Sequence, residues 1–144
     1  MVSCDAILVA EDDDNDALLL RMAFQRAALE TELIVVRDGQ EAIDYLNLQK
    51  TEGAKATPGV LLLDLKMPRV NGFEVLAWLR DQAQYKDLPV VIFSSSSHES
   101  DVQHAREMGA REYLVKPHDF ADLIRILQDV HHRYLAPPAT QSRQ

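Results

Sequence analysis

At 144 residues the chain is the size of one domain, and its 47% apolar and 26% charged residues lie close to the globular average. A formal net charge of −8 and an isoelectric point near 5.0 set it against nucleic-acid phosphates and anionic membrane surfaces, so neither is expected as a partner. A single cysteine excludes an internal disulfide, no apolar stretch reaches the roughly 18 residues of a membrane helix, and the start lacks the basic and long apolar regions of a signal peptide; a cytoplasmic protein is expected.

Residues 6–10 form a short, continuously apolar run of strand length. A helix-period segment at 17–29 follows, with Leu18, Met22 and Leu29 among its apolar positions. The next pair is a run at 33–36 and a helix at 40–48, trailed by a polar connection over 47–59 that is longer than most. The run at 60–63 precedes a helix at 73–80, and the run at 89–93 precedes a helix at 100–108. Residues 112–115 give a fifth run. From about residue 118 to Tyr134, Phe120, Leu123, Ile124, Leu127, Val130 and Tyr134 share one helical stripe, with acidic Asp119 and Asp122 at its start. Asp38-Gly39, Asn71-Gly72 and Met108-Gly109 read as turns or caps between these units, and Pro68, Pro89 and Pro117 fall at segment edges. Trp78 is expected to pack on the third helix, and Ser97 or Ser100 to cap the fourth.

Continuously apolar strands alternating with helices imply a parallel sheet buried on both faces. The pattern is (βα)5, an α/β doubly wound sheet of five strands in the flavodoxin-like order 2-1-3-4-5, in which ligands bind at the carboxyl ends of the strands. The domain is expected to span residues 5–135, leaving 136–144 as a flexible tail and no output domain.

The unusual residues sit at those strand ends. The first run ends in Glu11-Asp12-Asp13-Asp14, the third in Asp64, the fourth in Ser94-Ser95-Ser96-Ser97 and the fifth in Lys116-Pro117. Clustered carboxylates repel one another unless a hard divalent cation neutralises them, and all-oxygen ligation favours Mg2+. An aspartate beside such a cation can act as a nucleophile toward phosphorus, which makes Asp64 the expected phosphoacceptor. Lys116 would set an ammonium against a phosphoryl oxygen, and the Ser94 hydroxyl would donate to another. Taken alone, an acidic run such as Glu11 to Asp16 is more often a solvated loop or helix start than a metal site. His98, His104, His118, His131 and His132 show no metal-ligand spacing.

These motifs together resemble the receiver domains of two-component response regulators, over roughly residues 5–135: Glu11-Asp12, Leu63-Asp64-Leu65-Lys66-Met67-Pro68 with Gly72, Ser94, and Tyr113-Leu114-Val115-Lys116-Pro117. The resemblance implies Asp12 and Asp64 as direct Mg2+ ligands, Glu11 acting through water, and Lys66 contributing its backbone carbonyl. It makes Ser94 the switch hydroxyl and Tyr113 the aromatic that turns with it. Lys116 would pair with the acceptor and then the phosphate, and the Lys116–Pro117 bond would be cis. Lys66 and Ser96, two positions past Asp64 and Ser94, would modulate phosphate lifetime. The chain is similar to stand-alone receivers, and the 47–59 connection with Phe120 is similar to those partnered with bacterial phytochromes. A sensor histidine kinase is the expected donor, with a homodimer through the fourth helix, fifth strand and fifth helix, using Ile126 and Val130.

Two other functions compete. A Mg2+-dependent phosphohydrolase with an aspartyl intermediate would need an acid two positions after the nucleophile, where Lys66 stands, and a cap large enough to enclose a substrate. A phosphorylation-independent interaction module would not need the complete set of Glu11, Asp12, Asp64, Ser94 and Lys116.

Overall fold

The structure, a computed structural model, describes residues 6–52 and 58–135. The sheet comprises β1 (Ala6–Ala10), β2 (Glu32–Val36), β3 (Pro58–Leu63), β4 (Val90–Ser94) and β5 (Glu112–Val115). All pair in parallel, in the order β2-β1-β3-β4-β5. The helices are α1 (Asp14–Ala27), α2 (Gly39–Glu52), α3 (Gly72–Arg80), α4 (Glu99–Glu107) and α5 (Phe120–Tyr134). The expected (βα)5 doubly wound architecture is therefore the one observed.

Strand alternation divides the interior in two. Leu8, Leu61, Leu63, Val90 and Ile92 face α2, α3 and α4 and join Leu46, Val75, Leu76 and Ala105. Ile7, Val9, Val60, Leu62, Val91 and Phe93 face the other way and join Leu20 and Ala23 of α1 with Leu123, Leu127 and Val130 of α5. The three central strands β1, β3 and β4 are buried throughout, while β2 and β5, with one neighbour each, are partly exposed. Trp78 packs half-buried on α3 against the first of these cores.

Several boundaries and contacts depart from expectation. α1 turns Leu20 and the alanines 17, 23 and 27 inward, leaving Leu18 and Met22 exposed. The helix is apolar on more than one side, and the small-residue face lets it lie close to the sheet and α5. α2 runs on to Glu52, so the first part of the 47–59 connection is helical; residues 53–57 and the 136–144 tail lie outside the described residues. Val130 is fully buried in the α1–α5 core and is not available to a dimer face, whereas Ile126 is half-buried. A three-residue 3-10 turn at Ala83–Tyr85, absent from the sequence reading, buries Tyr85, whose hydroxyl donates to the Leu46 carbonyl at 2.7 Å.

Candidate functional site: an acidic crevice at the strand ends

Register brings the crevice together. Ala10 of β1 pairs with Leu63 of β3, so the residues immediately after them, Glu11 and Asp64, emerge side by side. The chain leaves β1 toward β2 and β3 toward β4 in opposite directions, which opens a cleft between these two strands. Ser94 pairs with Val115 in the β4–β5 ladder, placing Lys116 one step beyond it. Asp13 caps α1 through its carboxylate, which accepts from the Asp16 N–H at 2.9 Å, and this holds the acidic loop against the crevice.

Glu11, Asp12 and Asp64 each offer a carboxylate oxygen, and these oxygens lie within 4.8 Å of one another. Glu11 and Asp64 are buried, with 1% and 7% of their surface exposed, while Asp12 is half-exposed. Lys116 Nζ lies 2.6 Å from Glu11 Oε1, 3.0 Å from Asp64 Oδ2 and 3.1 Å from Asp16 Oδ2. Burial pushes the Glu11 carboxyl above its ordinary value, against the hydrogen bond from Lys116 that works the other way. Burial alone would lower the Lys116 pKa, but the hydrogen bond to Glu11 and the charge of Asp64 outweigh it, and Lys116 is held charged, above the usual lysine range. An all-oxygen trio of acids, two of them nearly dry, is the donor set a hard divalent cation takes.

A second group forms around Ser96 rather than around Asp64. The Ser96 N–H donates to Ser94 Oγ at 3.1 Å, Tyr113 OH donates to the Ser96 carbonyl at 2.8 Å, and Ser96 Oγ donates to Asp101 at 2.7 Å. Ser96 Oγ also accepts from the His98 N–H at 3.3 Å, so the serine at the start of α4 is Ser96, and neither Ser97 nor Ser100 caps the helix, whose N-cap is His98. Lys66 is exposed beside the crevice, its N–H 3.4 Å from Asp64 Oδ1.

The expected cis bond before Pro117 is not found: no peptide bond among the described residues is cis. The trans form is the ordinary one even before proline, and from it Lys116 both donates its N–H to the Ser94 carbonyl at 2.8 Å and reaches all three acids.

Two contributors escaped the sequence reading. Asp16, taken as part of a solvated helix start, reaches Lys116 because side chains in a first helical turn tilt back toward the N-terminus. Arg37, directly after β2, donates to the Glu11 and Asp12 carbonyls at 3.3 and 3.1 Å and pairs with Asp14. Its signal was a lone cation at the end of the strand beside β1.

Residues 7–128 match the family model of the response regulator receiver domain, and the chain belongs to that family. Response regulator Rcp1 of Synechocystis sp. is 33% identical over 90% of this chain and 88% of its own length. The Mn2+-bound crystal structure of Rcp1 superposes with a TM-score of 0.77 at 32% identity, covering 91% of this chain and 94% of that one. The phosphorylated cyanobacterial phytochrome response regulator RcpA gives a TM-score of 0.81 at 30% identity, over 93% and 96% of the two chains. The bacteriophytochrome response regulator RtBRR is 42% identical with a TM-score of 0.73, over 90% of this chain and 78% of that one. The protein is thus a receiver of two-component signalling.

Proposed function

We propose that this receiver is a cytoplasmic phosphorylation switch that takes a phosphoryl group on Asp64 from a sensor histidine kinase. The carrying observation is the convergence of the Glu11, Asp12 and Asp64 carboxylates opposite the Lys116 ammonium. Glu11, Asp12, Asp64 and the Lys66 carbonyl would hold Mg2+, a reading supported by the all-oxygen donor set and by the Mn2+-bound Rcp1 structure. When bound, the cation neutralises charge on the carboxylates and on the incoming phosphoryl oxygens. An Asp64 oxygen forms the new O–P bond as the kinase's N–P bond breaks; the electron pair returns to the imidazole nitrogen, which takes up a proton. Lys116 balances the charge that accumulates at the acceptor, from a position already 3.0 Å from Asp64 Oδ2.

Ser94, Ser96 and Tyr113 supply the response. A Ser94 hydroxyl that turns to donate to a phosphoryl oxygen draws on the loop that Ser96 ties to Tyr113 and Asp101. The change then reaches α4, β5 and α5. Lys66 and Ser96 flank the approach of hydrolytic water and set phosphate lifetime. Such a molecule acts only on its own side chain and turns over no external substrate. Likeness to RtBRR and RcpA supports a bacterial phytochrome as the kinase. The open groove of Leu114, Pro117 and Ile126, ringed by Glu112, Asp122 and Arg125, is the face offered to a second copy. A sedimentation mass that stays monomeric at high concentration, with and without phosphoryl group, would dismiss the dimer.

The test is incubation with acetyl phosphate followed by intact mass. One phosphoryl group should be added in Mg2+, none in EDTA, and none to Asp64→Asn. Addition to Asp64→Asn at the wild-type level would refute the assignment. Multiple-turnover release of phosphate from small phosphoesters would support the hydrolase instead.

A further inference from the structure

Lys116 is surrounded by as many carboxylates as an ammonium has hydrogens. Its three donors are matched by Glu11 Oε1, Asp64 Oδ2 and Asp16 Oδ2 at 2.6, 3.0 and 3.1 Å, which leaves none for a further oxygen. The third partner differs from the other two. Asp16 is outside the trio whose oxygens converge, and its side chain is 42% exposed against 2% for Glu11 and 9% for Asp64.

We propose that Asp16 is a positioning residue that competes with the phosphoryl group for Lys116 and thereby holds down the stability of the phosphorylated form. The inference rests on Asp64 as acceptor. A phosphoryl group on Asp64 brings new oxygens to the place where Lys116 points, and the ammonium can meet one only by releasing a carboxylate. Glu11 is dry on both sides, its other oxygen accepting the Asp13 N–H at 3.0 Å. Asp64 carries the group itself. Asp16 is the partner with solvent to turn to, so it is the one released. Its charge, left close to a phosphoryl dianion, also opposes that dianion directly. Both effects have the same sign: each weakens the phosphorylated state relative to the resting one. The Asp16 charge acts the other way on a free cation, which gains from each nearby carboxylate.

The test uses beryllofluoride at saturating Mg2+, titrated calorimetrically against wild type, Asp16→Ala, Asp16→Asn and Asp16→Glu, with Asp64→Asn as control. Asp16→Ala should bind the mimic about two- to fivefold more tightly, the span of one partly exposed charged contact. Asp16→Asn, which keeps an acceptor without the charge, should fall between, and Asp16→Glu should return toward wild type. Mg2+ affinity without the mimic should stay level or weaken in Asp16→Ala. A purely structural role would move both affinities and the melting temperature downward together, and that pattern would overturn the proposal. So would equal or weaker mimic binding by Asp16→Ala. Failure of wild type itself to bind the mimic would instead remove the acceptor assignment beneath it.

Discussion

Replacing Gly72 by alanine would set a Cβ 2.4 Å from the Asp64 carbonyl oxygen and 2.9 Å from Leu65 Cα, both backbone atoms. The Gly72 N–H donates to the Leu65 carbonyl at 3.0 Å, so the first turn of α3 is drawn against the segment that carries Asp64, the proposed acceptor. Gly72→Ala should cost about 1–3 kcal/mol in urea unfolding and should reduce phosphoryl acceptance more than its stability loss explains. Lys116 makes the complementary case. Removing its ammonium leaves Glu11 and Asp64 buried without a cation, so Lys116→Ala in EDTA should lose on the order of 3–5 kcal/mol. Mg2+ should restore part of that loss, since a cation among the same oxygens relieves the same repulsion. A variant equally unstable with and without Mg2+ would speak against a metal in this crevice.

Among the elements, α3 shows how local signals become site geometry. Asn71 accepts from the Glu74 N–H at 2.9 Å while Glu74 accepts from the Asn71 N–H at 2.8 Å, a reciprocal cap legible in the order Asn-Gly-x-Glu. Asn71→Ala should cost about 1 kcal/mol in thermal or urea melts. Elements with such signals, and strands of uninterrupted Val, Leu and Ile, could be placed from sequence. α1 could not be oriented, because Leu18, Leu19, Leu20, Met22 and Phe24 leave several faces apolar and only packing selects the one with alanines. The Ala83–Tyr85 turn is too short to have a period, and its worth lies in one long-range hydroxyl contact. Convergence at the crevice followed from strand order alone, since Glu11, Asp64 and Lys116 sit one step past a strand and Asp12 two. The contacts of Asp16, Arg37 and Ser96 did not follow, because they depend on side-chain reach across neighbouring loops.

On the scale of the molecule, two cores flank one sheet, and the edge strand β5 is tied down by charge. Glu112 of β5 takes Arg133 Nη1 at 2.6 Å and Tyr134 OH at 2.9 Å, anchoring the end of α5. The Arg133 hydrogen bond holds the Glu112 carboxyl below its ordinary value of 4.5, against the opposing effect of burial. A lowered folded pKa contributes stability that is complete above the unfolded value and disappears as pH falls through the folded one. Wild type should therefore exceed Glu112→Gln in stability above about pH 5, and the two should converge as the pH is lowered below 4.5. A gap that persists in acid would assign the contact to packing instead.

The proposed function places one chemical event at the carboxyl edge of β3, on Asp64. The most direct test treats the protein with acetyl phosphate and Mg2+, reduces any acyl phosphate with borohydride, and locates the reduced residue by tandem mass spectrometry. Reduction at residue 64 alone, absent in EDTA, is the expected result. Reduction at Asp12, Asp13 or Asp16, or Mg2+-independent reduction at residue 64, would contradict the assignment of Asp64 as the phosphoacceptor of a metal-dependent switch.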